Sequence, residues 1–369
     1  MIIKRENLDW LQLDITARCN AMCLECSRNH DGLTINSKIG KSDTWDMPIE
    51  MIQEVITPDM LKSSLKKIVF NGNFGDPCIH PNLLNISKYI LDHAHDNLKV
   101  NISTNGAMFN NEYWAELGRM YSKLKRHKIV FGIDGLEDTH HIYRRNTKYE
   151  DVMSHAKTFI DAGGKADWQF IIFDHNKHQV DEARKISKQM GFEELYFKGG
   201  FDDNGGARNF SKAVEESTTG GKGAATKKNK AVELSVKSRP AFQEAQKIIA
   251  ETKYRKATNY LDTAKISCQW YDTKGMYIEY DGTVWMCCWM GDMHKNYNDK
   301  ANKEYEFIAN KYGTQFNDLH HHSFDDILKH EYFVEYLDKT FNSTRDDPNT
   351  PRSHICAKTC IWNKRFVHV

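Results

Sequence analysis

The chain has 369 residues, 27% of them charged and 40% hydrophobic, a make-up that excludes disordered and collagen-like classes. Lys and Arg total 51 against 50 Asp and Glu, so the formal charge is +1 and no global basic field points to nucleic acid or an anionic membrane. No apolar run reaches the ~18 residues of a membrane helix, and the opening Met1-Ile-Ile-Lys-Arg-Glu-Asn lacks the apolar stretch of a secretion signal, so the expected compartment is the cytoplasm.

In chain order, β-rich apolar runs stand at 10–15, 67–70, 98–102, 129–133, 168–173 and 195–197. Helical spacing fills the gaps at 48–65, 81–93, 112–124, 149–162 and 179–190, with Pro48 and Pro81 suited to first turns and Gly163, Gly164 and Gly191 to helix ends. Such alternation predicts parallel βαβ units, in an open doubly wound sheet or a barrel. Six strands are too few for a complete eight-stranded barrel. Residues 201–265 then change character, with Gly205-Gly206, Gly220-Gly221-Lys222-Gly223 and the basic run 227–230 reading as a loop or linker, and one helix expected near 240–256. Further on, two alternating runs around Asp281-Gly282 predict a β-hairpin over 276–286, and Ser323 with Asp326 predicts a capped helix over 323–337.

The nine cysteines are Cys19, Cys23, Cys26, Cys78, Cys268, Cys287, Cys288, Cys356 and Cys360. Clustered cysteines in a chain of this kind favour metal binding or catalysis over disulfides. Cys19-Asn-Ala-Met-Cys23-Leu-Glu-Cys26 follows the first strand, and three thiolates on one short loop can converge on a soft metal centre. Three ligands leave one iron of a cubane open for chemistry. A zinc site completed by His30, or buried free cysteines, satisfies the same spacing.

The run Asp14-Ile-Thr-Ala-Arg-Cys19-Asn20-Ala-Met-Cys23-Leu-Glu-Cys26-Ser-Arg28 resembles the cluster loop of the radical S-adenosylmethionine (SAM) enzymes. The resemblance implies that Cys19, Cys23 and Cys26 hold a 4Fe–4S cluster whose unique iron chelates SAM, and that one electron cleaves SAM to methionine and a 5′-deoxyadenosyl radical that abstracts a substrate hydrogen. Glu25 stands where an aromatic residue is common. Gly72-Asn73-Phe74-Gly75-Asp76-Pro77 is similar to the family's glycine-rich motif, with Asp76 in place of Glu. By the same resemblance Gly75, Asp76, Ser103, Asn105, Asp134 and Arg144 are cofactor-binding candidates, all near predicted C-terminal strand ends, where parallel barrels place their sites. For Arg144, a guanidinium suits the SAM carboxylate, and a surface ion pair is the plain alternative.

Cys268-Gln-Trp, the hairpin ending in Cys287-Cys288, and Cys356-Ala-Lys-Thr-Cys360 resemble a SPASM or twitch auxiliary domain. This implies one auxiliary 4Fe–4S cluster on Cys268, Cys287, Cys356 and Cys360. Cys288 faces the other side of its strand from Cys287, and either is the ligand. A four-cysteine zinc site is the alternative.

The resemblance implies a partial (β/α)6 barrel over 1–200, the insert over 201–265, and a small α+β auxiliary-cluster domain over 266–369. It implies a flavodoxin- or ferredoxin-type electron donor and a peptide or protein substrate. The alternatives are a small-alcohol dehydrogenase or a non-catalytic iron–sulfur or zinc protein. Cys78, the His320-His321-His322 run and the tryptophans at 168, 270, 285, 289 and 362 read as core or solvated residues. Asp174, His175 and Asn176 follow the fifth strand, with no role assigned.

Overall fold

A computed structural model describes residues 3–23, 26, 29–30, 33–34, 45–199, 262, 265–291, 293 and 299–360. The 227–230 basic run, the 240–256 helix and Trp362 lie outside them.

Among the described residues, eight strands form one sheet in the order β10 (Val284–Trp285), β9 (Gly275–Ile278), β1 (Trp10–Leu13), β4 (Lys67–Phe70), β5 (Lys99–Thr104), β6 (Arg126–Gly132), β7 (Ala166–Ile172) and β8 (Glu194–Gly199), and β2 (Asn29–His30) pairs with β3 (Leu33–Thr34). Strands β1, β4, β5, β6, β7 and β8 are parallel throughout. They are linked by helices, among them α2 (Leu83–His93), α3 (Asn111–Tyr121), α5 (Tyr149–Asp161) and α6 (Val180–Met190). This is a six-stranded parallel α/β barrel segment: the alternation predicts its parallel βαβ units, and the family resemblance its barrel form. Beyond β1 the sheet continues with β9, parallel to β1, and β10, antiparallel to β9. Gly282 closes that hairpin with φ +84°, a conformation a side chain resists.

The register explains the alternating sequence. One face carries Leu11, Ile68, Val100, Ile102, Phe131, Trp168 and Phe170, all fully buried in the main core. The other face is mostly polar: Tyr277, Gln12, Val69, Asn101 and Lys128 form one row across five strands. Gly132, Gln169 and Tyr196 form another, and Lys198 pairs with Ile171 higher up. A closed barrel fills this face with branched apolar side chains. Here Lys128 Nζ closes the lower end against Asp167 Oδ2 (2.8 Å) and Glu194 Oε2 (3.6 Å).

Two predicted helices are broken. The 48–65 segment becomes α1 (Ile49–Val55) and a separate π-helical turn, Met60–Ser64, because Pro58 offers no N–H and disfavours helix at Thr57. The 323–337 segment begins as expected, with Ser323 Oγ accepting from Asp326 N–H (3.2 Å). It stops after α10 (Phe324–Lys329), where His330 turns extended and its Nδ1 accepts from Tyr332 N–H (3.2 Å); the chain resumes as a π turn and α11 (Leu337–Asn342). Outside the sequence expectations are α4 (His140–Tyr143), α7 (Gln269–Asp272), α8 (Cys288–Gly291), α9 (Asp299–Tyr312) and α12 (His354–Thr359). No helix among the described residues is long and apolar enough to cross a membrane.

Candidate functional site

The segment after β1 is tied down by residues from the ends of several neighbouring strands. Asp14, fully buried, receives the backbone N–H of Asn73 (2.8 Å) and the hydroxyl of Tyr277 (3.0 Å). Arg18 Nε donates to Asp46 Oδ2 (2.7 Å), and its carbonyl accepts from Asp76 N–H (2.7 Å). Gly75 packs so closely on this segment that a Cβ there would lie 1.9 Å from the Thr16 carbonyl oxygen. The glycine-rich loop after β4 is therefore glycine-rich because backbone meets backbone, whatever else it binds.

Asp76 is buried, and both its oxygens already accept hydrogen bonds. Cys78 N–H (3.0 Å) and Thr104 Oγ1 (2.9 Å) reach Oδ1, and Asn105 N–H (2.6 Å) reaches Oδ2. Burial raises its pKa and these donors oppose the rise. In this arrangement Asp76 holds the end of β5 against the cysteine segment. Asn105, thus placed, reaches Cys19 Sγ with Nδ2 (3.6 Å) and Asn20 Oδ1 (2.9 Å). Ser103 sits on the polar face, opposite Val130.

From the segment after β6, at the C-cap of α4, comes Arg144, whose Nε donates to Asp134 Oδ2 (2.7 Å) while Nη1 points at Cys23 Sγ (3.9 Å). Asp134 is wholly buried, and its other oxygen accepts from Ile171 N–H (2.5 Å). The guanidinium lies over β6 at Gly132, where a Cβ would come within 2.4 Å of Nη2. Next to it, Met22 N–H donates to Arg145 O (2.9 Å) and Asn146 Nδ2 to Asn20 O (2.7 Å). Ala21, Cys23, Tyr143 and Phe173 are buried in one small cluster that Cys19, Cys26 and Ile171 flank. Cys19, Cys23 and Cys26 thus share one apolar seat at the C-terminal end of the barrel, with Asn105 and Arg144 directed at two of the sulfurs.

Burial raises the Cys19 thiol to about 12, with Asp76 adding to it, and the Cys23 thiol to about 11, opposed by Arg144. Left alone, both would be neutral at physiological pH. Three soft donors on one loop with N–H groups aimed at sulfur fit an iron–sulfur cluster, whose cationic iron favours thiolates.

A second group of interacting thiols is formed by Cys268, Cys287, Cys356 and Cys360. Cys360 is held down in pKa by hydrogen bonds from Cys268 and Cys356, and Cys287 acts electrostatically on both of those. Cys268, Cys287 and Cys356 are buried, and Cys288 opens α8 half-buried. Among the described residues, no three His, Cys, Asp or Glu side chains are grouped tightly enough for a single metal ion. The donor set is again all sulfur, suited to a larger iron–sulfur group.

The remaining candidates have structural partners. Asn176 Nδ2 donates to Asp134 O (3.2 Å) and Ile171 O (2.9 Å), and His175 stacks on Phe173 with its pKa lowered to about 4 by burial. Cys78 is in the core, and His321 pairs with Asp318 (2.9 Å). Trp168 and Trp285 are core residues, whereas Trp289 is 56% exposed. Sequence reasoning missed Asn20, Gly132, Tyr143, Asn146, Phe173 and Tyr277. Gly132 carried a signal, a glycine in an otherwise bulky strand.

Residues 268–361 match the SPASM family, an iron–sulfur cluster-binding domain. The tungsten-containing aldehyde ferredoxin oxidoreductase cofactor-modifying protein of Pyrococcus furiosus is 25% identical over 129 residues, 35% of this chain and 32% of that protein. The match thus spans about a third of the relative's length. In fold, the chain resembles anSMEcpe solved with bound AdoMet, with a TM-score of 0.50 and 14% identity over 88% of this chain and 82% of that one. It also aligns with Streptococcus suis SuiB bound to S-adenosylmethionine, with a TM-score of 0.46 and 13% identity over 95% and 77%. The chain has the partial-barrel fold of the radical SAM enzymes. Its residues 268–361 are similar in sequence to the SPASM iron–sulfur cluster-binding domain.

Proposed function

We propose that this chain is a radical SAM enzyme that modifies a peptide or protein side chain by hydrogen abstraction, with electrons from a flavodoxin- or ferredoxin-type donor. One observation carries the reading: residues from the segments that follow β4, β5 and β6 converge on a loop bearing Cys19, Cys23 and Cys26. These three thiols would hold the first cluster, and Cys268, Cys287, Cys356 and Cys360 the auxiliary one. When bound, the first cluster supplies the electron that splits SAM into methionine and a 5′-deoxyadenosyl radical. Arg144, oriented by Asp134 through Nε, would offer the Nη2 edge of its guanidinium to a carboxylate. Asn105 and Asn146 hold the loop at Asn20. Tyr143, Phe173 and Ile171 keep the seat apolar and limit water at the reacting centre. The peptide class is supported by the half-buried Gln169 on the polar barrel face, an amide that can pair donor-to-acceptor with a peptide group.

The test is iron and sulfide per chain after anaerobic reconstitution, for wild type and a Cys19/Cys23/Cys26→Ala variant, together with 5′-deoxyadenosine formed from SAM under dithionite. The expected counts are ~8 irons and ~4 irons, from two cubane clusters and one. 5′-Deoxyadenosine is expected in the wild type alone. Zinc without iron in both proteins, or intact clusters without 5′-deoxyadenosine, overturns the proposal.

A further inference from the structure

The short helix α12 presents Cys356 within its span and Cys360 at its C-cap. Its N-terminus is held by a residue from a different helix. Glu304 of α9 accepts from Ser353 Oγ (2.5 Å), from the backbone N–H of Ile355 (3.1 Å) and from that of His354. Ser353 Oγ in turn accepts from the backbone N–H of Cys356 (3.1 Å). One hydroxyl therefore separates the Glu304 carboxylate from the backbone of a thiol-bearing residue.

The same device appears at α10, where Ser323 bonds Asp326 N–H in its own segment and Glu54 of α1 accepts from Phe324 N–H (3.0 Å), whereas at α3 Asn110 acts alone. What sets α12 apart is its two thiols, so the Glu304 carboxylate is anchored on a thiol-bearing element. Burial raises the Glu304 pKa and its three donors oppose the rise; in the ionised form its charge acts on Cys356, Tyr332 and Tyr336. Groups behind metal ligands orient them and set the electronic properties of the centre. Reducing an iron–sulfur cluster adds negative charge, so a fixed carboxylate nearby opposes reduction.

We infer that Glu304 is a positioning residue of the auxiliary cluster: it sets the start of α12, so that Cys356 and Cys360 are presented together, and it keeps that cluster hard to reduce. This rests on the cluster assignment made above for Cys268, Cys287, Cys356 and Cys360.

The experiment uses the Cys19/Cys23/Cys26→Ala full-length chain, in which the auxiliary cluster is the one iron centre expected. Glu304→Gln, Glu304→Asp and Glu304→Ala are made in it and reconstituted anaerobically. Iron per chain is counted, and the cluster is titrated with redox dyes and followed by electron paramagnetic resonance. Glu304→Gln, which retains an acceptor oxygen and loses the charge, is expected to keep the parent's iron, shift the midpoint potential positive and alter the spectrum. Glu304→Ala is expected to lose at least half of the iron. A Glu304→Gln protein with full iron and the parent's potential and spectrum overturns the inference. If Glu304→Gln itself loses iron, Glu304→Asp decides: recovered iron at the parent's potential supports the inference, and no recovery overturns it. A parent chain that takes up no iron also overturns it. The radical SAM reading is judged on a different protein, the wild type, through 5′-deoxyadenosine, so the two fail separately.

Discussion

Arg144 crosses β6 where Gly132 leaves room, and its partner Asp134 is wholly buried. Removing the guanidinium leaves a buried carboxylate without its cation, so Arg144→Gln should destabilise the fold by about 3–5 kcal/mol in urea titrations. Gly132→Ala asks a subtler question. The added methyl meets the mobile end of Arg144 rather than backbone, so the fold should survive and the guanidinium should move. SAM affinity is expected to fall about tenfold, ~1.4 kcal/mol, with iron content unchanged, as isothermal titration would read it. At the opposite end of the barrel, Lys67 lies over the Trp10 ring at 5.4 Å. Burial, followed by neighbouring Lys99, lowers its pKa from 10.5 to about 8. The unfolded chain thus binds more protons between about pH 8 and 10.5, and stability rises with pH through that window. Lys67→Met should therefore stabilise the fold at pH 7 by about 1 kcal/mol, allowing for partial solvent screening, and the gain should vanish above pH 10.5. A gain that stays constant with pH would assign the effect to packing.

At the scale of elements, Tyr277 on β9 joins the C-terminal hairpin to the cysteine segment through Asp14, and Asp14 holds the glycine-rich loop through Asn73. Tyr277→Phe should cost about 1.5–3 kcal/mol, the range for a buried hydrogen bond to a charged group. A cycle with Asp14→Asn should show non-additivity, because both changes act on one bond. The six parallel strands were legible because their alternation leaves Leu11, Ile68, Val100 and Phe131 on the covered face. The thiol loop was legible because its chemistry needs closely spaced cysteines. Helix α9 was not legible: its sequence, Asp-Lys-Ala-Asn-Lys-Glu-Tyr-Glu-Phe-Ile-Ala-Asn-Lys-Tyr, has a sparse apolar stripe, and its partners lie far along the chain. The breaks at Pro58 and His330 differ in kind. Proline's effect is local and readable, whereas His330 ends α10 while its ring packs on Tyr312 and Phe316, contacts that only the folded chain provides.

For the whole molecule, β9 lies beside β1 in the same sheet, so the barrel and the SPASM-type region share one hydrogen-bonded layer. Cutting the chain after residue 200 would bare the β1 edge and the apolar side of Leu11 and Leu13, both fully buried in the intact chain. The fragment 1–200 is expected to aggregate on refolding, an outcome light scattering reads directly. A monomeric fragment with cooperative unfolding would show that the barrel needs no help from β9.

The same pairing sets a clock on synthesis. Leu11 lies beside Met276, so the ribosome must add 265 residues between partners. At ~5–20 residues per second, the β1 edge waits roughly 13–53 s for its neighbour. Through that interval its free N–H and C=O groups can template pairing with other chains, so yield in cells should depend on translation speed and chaperone supply more than on the stability of the finished protein.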